Sequence, residues 1–476
     1  MPPMPPVPPP LCLKGVRTRL AVPTACFSTS AARFANPPPK RKGTVAPPKR
    51  GTRTLNVKKG KSGFTQDTGK RPVQGERRAQ RKRIVLTNDN ALEVPSLKDL
   101  SRSNALDAAN EGRVMGFPAD VVDALRAVDA FKPTQGWSLF RRPAALMRKE
   151  TMQLVGLMKE VEGAAKDGQQ RKTIRRVLSG DRMSGKSTLL LQGLAVATLR
   201  GWVVVNLPDA QDIVNAHTDY APLPKSSPPQ YTQDTYTANL LHQILKANGA
   251  ILEGISVTTN PKLPLPLPAN PTLKNLVELG MVNPEVSWPV FTALWQELLQ
   301  PGRPPVMLAI DGLSHIMRES EYMSAEFTPI HAHDLTLVRH FVDHLSGQKS
   351  LPNGGVVLAA TSRSNAPTSP ALDHCVKVAE ALQNSPDNLP RWDLYRNVDG
   401  RVMEVLKGLQ DPKTTDLDVI QAGGLTKEEA RSIIEYYAES GMLRHQVDDG
   451  FVAEKWSLAG MGNIGELERA SVRLRM

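Results

Sequence analysis

At residues 180–187 the chain reads Gly-Asp-Arg-Met-Ser-Gly-Lys-Ser, between a short β-capable run, Thr173–Ser179, and an apolar helical run, Thr188–Arg200. Gly-x4-Gly-Lys-Ser between a strand and a helix is the Walker A pattern, and few folds can house it. Gly180 and Gly185 allow a tight loop whose backbone N–H groups close around phosphate oxygens. Lys186 reaches the β- and γ-phosphates, Ser187 offers its hydroxyl to Mg²⁺, and the helix start adds its positive dipole end. Gly180, Met183, Ser184, Gly185, Lys186, Ser187 and Thr188 are therefore the expected nucleotide-contact residues.

A phosphate loop calls for a second, acidic strand. Pro305-Val-Met-Leu-Ala-Ile-Asp311 is a continuous apolar run ending in a carboxylate, as a buried parallel strand with its functional residue at the C-terminal tip would be. Asp311 would join Ser187 in holding Mg²⁺. A further strand, Gly355–Thr361, leads into Ser362-Arg-Ser-Asn365, which makes Ser362, Arg363 and Asn365 candidate γ-phosphate sensors. The expected fold is α/β: a P-loop NTPase sheet of the AAA/ASCE kind, parallel and flanked by helices. No catalytic residue is assigned. The residue after Asp311 is Gly312, where hydrolytic relatives of this fold carry a second acid. Glu319 and Glu321 are near in sequence, on a path the sequence leaves open. No Asn-Lys-x-Asp guanine-reading motif follows, so GTP, GDP and ATP all remain candidates. The site reads as a nucleotide binder with weak or no GTPase or ATPase activity.

Charge divides the chain sharply. Residues 1–83 hold 20 Lys/Arg against Asp67 and Glu76, whereas the other 393 residues hold 40 Lys/Arg and 45 Asp/Glu. The net charge of +13 is thus an N-terminal property of a mildly acidic body, which excludes a uniformly basic DNA-coating protein. Residues 1–35 are rich in Arg, Ser, Thr and Ala and free of acids, the composition of a mitochondrial transit peptide, with the matrix as destination. Residues 36–95 then form a basic, proline-punctuated arm. Its segment 36–83 has Phe64 as its sole aromatic, so it suits contact with an RNA phosphate backbone better than stacking on bases. Three cysteines exclude a disulfide scaffold, and no run of eighteen apolar residues marks a membrane span.

The remaining segments are expected as follows. Region 96–170 is helical, with helices over Phe117–Lys132 and Ala144–Glu162 around the loop Gly136–Pro143. The nucleotide-binding core covers 171–385, with a proline-rich insertion at 208–304 that carries helices Thr235–Asn248 and Trp288–Leu299 and suits partner contacts. Ile330–Leu345 reads as one helix; its histidines (His331, His333, His340, His344) lack the ligand set of a metal site and fit a solvated or RNA-facing surface. Residues 386–476 read as a small helical or winged-helix-like domain, with a capped helix opening at Thr426 and a strand at Phe451–Leu458.

Taken together, Gly180–Ser187, the stretch Val203-Val-Val-Asn-Leu-Pro-Asp-Ala-Gln-Asp212, the Asp311-Gly312 strand end and Phe131-Lys-Pro-Thr-Gln-Gly-Trp-Ser-Leu-Phe-Arg-Arg-Pro143 resemble the death-associated protein family, in a fungal version, over about residues 115–445. The resemblance implies a guanine-nucleotide-binding, structural component of the mitochondrial small ribosomal subunit. It also implies contacts with mitochondrial ribosomal RNA, neighbouring small-subunit proteins and the large subunit across the interface. A soluble AAA-like NTPase acting as a mitochondrial chaperone or ribosome assembly factor is the competing reading, supported by the intact Walker A loop.

Overall fold

The computed structural model describes residues 84–166, 172–259, 261–364, 366–410 and 416–473. The expected transit segment, all but the end of the expected arm, and Asn365 lie outside these residues.

Before the core, β1 (Lys98–Asp99), β2 (Val114–Gly116) and β3 (Ala144–Leu146) form a small sheet in the order β1-β2-β3. Helix α1 (Ala119–Ala127) lies between β2 and β3, and α2 (Lys149–Lys166) follows. Region 96–170 is therefore mixed rather than helical. Ala144–Leu146 does not open a helix, because it pairs antiparallel with Val114–Gly116.

The core sheet has five parallel strands: β4 (Thr173–Gly180), β5 (Val203–Leu207), β8 (Val306–Asp311), β11 (Gly355–Ala360) and β12 (Leu417–Ala422). Helix α3 (Lys186–Arg200) joins β4 to β5, and between β5 and β8 lie α4 (Ala210–Val214), the hairpin β6 (Ala221–Pro222) and β7 (Tyr231–Thr232), α5 (Asp234–Glu253), α6 (Leu273–Val282) and α7 (Ser287–Leu298). A second hairpin, β9 (Glu319–Met323) and β10 (Pro329–His331), and α8 (Thr336–Leu345) connect β8 to β11. After β11 come α9 (Pro370–Asn384) and α10 (Gly400–Val405) before β12, then α11 (Lys427–Glu439), α12 (Asp449–Leu458) and α13 (Ile464–Ser471).

The strand order is β12-β4-β11-β8-β5. The loop-bearing strand β4 and the Asp311 strand β8 thus flank β11, the arrangement of the ASCE group of P-loop folds. Register pairs Ala360 with both Leu178 and Asp311, and Ala422 with Gly180, so the functional strand ends share one edge. Strands β5, β8 and β11 are buried throughout, which is why they read as unbroken apolar runs.

Alternate strand residues serve opposite layers. Leu178, Val204, Met307 and Leu358 pack with Leu125, Leu154 and Leu194 of α1–α3. Val177, Val205, Leu308 and Val357 pack with Leu240, Leu276, Phe291, Phe341 and Leu372 of α5–α9. The insertion 208–304 therefore supplies much of one core layer, and its proline-rich stretches are the loops around that layer. The helices expected at Thr235–Asn248 and Trp288–Leu299 are α5 and α7.

Three further expectations change. The sheet does not end at residue 385, because β12 beyond it pairs with β4; its mixed polarity, with Asp418 and Gln421 interrupting apolar positions, hides it. The C-terminal region is helical without a wing: Phe451–Leu458 belongs to α12, fixed by the Asp448 side chain accepting from Phe451 N at 2.6 Å. A short apolar run is ambiguous between the two periods, and that cap decides it. The histidine segment is not one helix. Pro329–His331 is a strand, residues 332–334 form a 3₁₀ turn, and only Thr336–Leu345 is α-helical. All four histidines are buried, so this face is neither solvated nor available to RNA.

Candidate nucleotide site

Strand β4 runs straight into Gly180, whose φ of +144° belongs to glycine; a Cβ there would meet Ala422 O at 2.5 Å and Ser184 Oγ at 2.8 Å. The loop then reaches Gly185, also left-handed at φ +91°, and α3 begins at Lys186. The Lys186 ammonium is buried and donates to Gly180 O at 2.9 Å and Asp181 O at 2.6 Å, which holds it within the loop's concavity. Burial, with Arg363 nearby adding repulsion, lowers its pKa to about 8 against the pull of Asp181 and Asp311.

The loop is braced from outside by residues that the sequence pattern did not single out. Arg148, almost wholly buried, donates to Ser184 O at 2.7 Å and Gly423 O at 2.6 Å, tying the P-loop to the end of β12. Met183 O accepts from Gly465 N at 3.1 Å, and Asn463 Nδ2 donates to Arg182 O at 2.9 Å, so α13 rests on the loop. Thr188 Oγ1 accepts from Gln135 Nε2 at 3.3 Å. Ser187 lines the cavity that opens at this loop.

At the tip of β8, Asp311 is buried and lies 3.5 Å from Lys132 Nζ through Oδ2. Lys132 also donates to Pro208 O, so the Phe131-Lys-Pro-Thr-Gln stretch delivers a cation to the acidic strand and an amide, Gln135, to the loop helix. Ser187, in the first turn of α3, and Asp311, at the tip of β8, carry oxygen donors of the kind a Mg²⁺ ion takes, and Asp311 is ion-paired with Lys132.

Gly312 turns left-handed at φ +90°, and a Cβ would come within 3.3 Å of the His315 ring. A glutamate here would carry backbone strain as well as its charge. Glu319 and Glu321 do not substitute for it: β9 alternates, with Ser320 and Tyr322 inward and both glutamates outward in solvent. Of the sensor candidates, Arg363 reaches the loop, 3.5 Å from Asp181 Oδ1. Ser362 lines the cavity, with its hydroxyl donating to Ser364 O at 3.1 Å.

A cavity of about 310 Å³ opens from this loop, within the size range of small-molecule sites. Its apolar wall is Phe140, Tyr436 and Tyr437, with Phe140 stacked on Tyr437 at 5.4 Å between ring centres. Phe140 and the two tyrosines belong to a third core in which α11–α13 pack on the small N-terminal sheet, so both termini of the described body close one cavity.

A protein-family model of mitochondrial ribosomal death-associated protein 3 matches residues 145–470. The chain belongs to that family. Small ribosomal subunit protein mS29 of Neurospora crassa is 44% identical over 423 residues, covering 88% of this chain and 87% of that protein. The mS29 of Schizosaccharomyces pombe is 22% identical over 374 residues, covering 77% and 73%. Among solved structures, the Aeropyrum pernix ORC2 protein overlaps at 13% identity and a TM-score of 0.29, over 67% of this chain and 59% of that one. That overlap is too loose to bear on the site. The family model spans the P-loop, Asp311 and α13, but Lys132 and Gln135 precede it. Their signal was the Lys-Pro-Thr-Gln stretch, whose roles only the fold makes plain.

Proposed function

We propose that this chain is a structural component of the mitochondrial small ribosomal subunit that holds one purine nucleotide, GTP or GDP with ATP as the alternative, in its P-loop and supports mitochondrial translation. Family membership and the two mS29 relatives support the ribosomal and mitochondrial part of this reading. The basic segment 36–83 supports contact with ribosomal RNA, and neighbouring subunit proteins would meet the folded body.

One observation carries the nucleotide part: a complete phosphate cradle beside a left-handed Gly312 where a hydrolytic acid would stand. Lys186 and the loop amides would hold the phosphates, and Arg363 would face the terminal one. A bound Mg²⁺, held by Ser187 and Asp311, would neutralise charge between the β- and γ-phosphates. With Asp311 paired to Lys132, Glu150 engaged by Arg148 and Gly423 N, and glycine at 312, the described residues of the loop and strand tips would offer water no free carboxylate beside the terminal phosphate. The nucleotide would then act as a structural ligand, one that stabilises the fold by binding only the folded state.

The test is to sediment mitochondrial extract, recover the particle that contains this chain, and identify the nucleotide released on denaturation. One mole per small subunit is the expected result. Recovery only in light fractions, with freely exchanging nucleotide, would overturn it in favour of a soluble assembly NTPase.

A further inference from the structure

We infer that the β9–β10 hairpin is a docking prong: Phe327, at its tip, plugs an apolar pocket rimmed by Lys or Arg on a neighbouring protein of the ribosome. This rests on the ribosomal part of the proposed function and is independent of the nucleotide.

Ser324 N donates to Thr328 O at 2.8 Å and Phe327 N to Ser324 O at 3.0 Å, so residues 325–327 close the hairpin. A loop of this length is a type I turn followed by one left-handed residue, the position that glycine fills at least cost. Here the residue is phenylalanine, at φ +59°. Its side chain is also 88% exposed, so packing within the described residues does little to offset the strained backbone. A bulky apolar residue that bears both costs is accounted for when a partner buries the ring. Met323, 49% exposed, and Tyr220, 41% exposed, widen the apolar surface, and Tyr220 OH donates to Met323 O at 2.5 Å.

The prong stands on a rigid base. Tyr322 is buried, its ring 4.7 Å from that of Tyr220 and its hydroxyl accepting from Gln233 Nε2 at 2.9 Å. Ser320 Oγ donates to Ile330 O at 2.6 Å across the two strands. In the loop, the Ser324 hydroxyl accepts from Glu326 N and Thr328 N, each at 3.2 Å. A ring presented from so fixed a backbone loses little freedom on docking, and aromatic anchors of this kind carry much of the energy of an interface.

Charge selects the partner. Along residues 318–331 the exposed charges are Glu319, Glu321 and Glu326 against Arg318. Beside them, Asp219 and Lys225 are exposed and add one charge of each sign. RNA would bring its phosphates against this acidic hairpin, whereas basic side chains around an apolar protein pocket complement it.

The experiment places the photoreactive residue benzoylphenylalanine at position 327 of the full chain, irradiates intact mitochondrial ribosomes that carry it, and maps the adduct by mass spectrometry. The expected adduct lies on one protein, at apolar residues bordered by Lys or Arg. Adducts to RNA, adducts on a protein surface without basic residues, or none while the chain is in the particle would overturn the inference. Phe327→Gly separates docking from folding. Glycine suits the left-handed position, so the isolated variant should melt within a few degrees of the wild-type chain. It should nonetheless lose to the wild-type chain by about tenfold or more in competition for incorporation, as removal of one aromatic anchor requires. Equal incorporation would overturn the inference, and so would a large fall in melting temperature, which would make Phe327 a residue of the fold alone. Absence of the wild-type chain itself from ribosomes would remove the ribosomal reading, and this inference with it.

Discussion

Lys186 is the residue at which the physics of the loop can be measured most directly. Its folded pKa of about 8 lies below the ordinary 10.5 because burial disfavours the ammonium. Phosphate oxygens would restore the charged form, so binding above pH 8 must be accompanied by proton uptake. Diphosphate affinity should hold steady from pH 6.5 to 7.5 and then fall by up to about tenfold per pH unit above 8. Calorimetry in two buffers of unlike ionisation enthalpy at pH 8.5 would register the proton, and a Lys186→Ala chain should show neither proton nor slope. A flat profile to pH 9.5 would remove Lys186 from phosphate contact. At this scale the octet was legible because its residues are contiguous and each type has one chemical reason to be there. Lys132 and Arg148 were not legible. They reach the Asp311 strand tip and the loop from separate elements through tertiary packing, and no spacing rule links them to the site.

At the scale of elements, legibility followed burial. Strands enclosed on both faces read as apolar runs, and α11 announced itself by its cap: Thr426 accepts from Glu429 N while Glu429 accepts from Thr426 N. Elements whose identity depends on a neighbour were misread, such as β3, which pairs, and β12, which lies at the sheet edge. The histidine segment is the clearest case, since its polar residues turn inward. His340 is edge-on to Phe291 and Trp295, and His344 lies 5.0 Å from Trp295. Burial lowers His333 to about 3 and His344 to about 4, and pushes His340 well below 6.5; His331, Lys349 and Arg175 add repulsion, while Asp399 and Asp343 oppose it only in part. All three are neutral in the folded state. The unfolded chain takes up their protons as pH drops through 6.5, so their contribution to stability is complete above that value and declines below it. Each should cost about 1.4 kcal/mol per pH unit below 6.5. Urea unfolding between pH 7 and 5, above the range in which most carboxylates titrate, isolates the effect. His344→Phe should flatten the slope by about a third of the share these three rings supply, with His315 and His374, also lowered by burial, adding to the rest, and an unfolding free energy that does not change over this range would show these rings charged or exposed.

The sequence falls into two stretches of opposite electrostatic character, residues 1–83, which are basic, and residues 84–476, whose acids outnumber their bases. Bases and acids alternate on the folded part in pairs such as Arg200–Glu162 and Arg303–Glu297, which consume each other's charge. Attraction to a polyanion therefore has to come mainly from the first segment. Residues 36–83 carry 16 Lys/Arg, and every phosphate they neutralise releases condensed counterions. Each contact on single-stranded RNA should add about 0.7 to the magnitude of the logarithmic salt slope, and each contact on a duplex about 0.9. Binding of the mature chain to small-subunit ribosomal RNA, followed from 50 to 300 mM KCl, should accordingly be steep. A chain lacking residues 36–83 should lose most of that slope along with affinity at low salt, yet match the mature chain in the proposed binding of GDP, because the P-loop and its braces lie within residues 84–476. Loss of nucleotide binding on the same truncation would mean that the segment completes the cavity. An unchanged salt slope would mean that the folded part, despite its acidic balance, presents its own basic face to RNA.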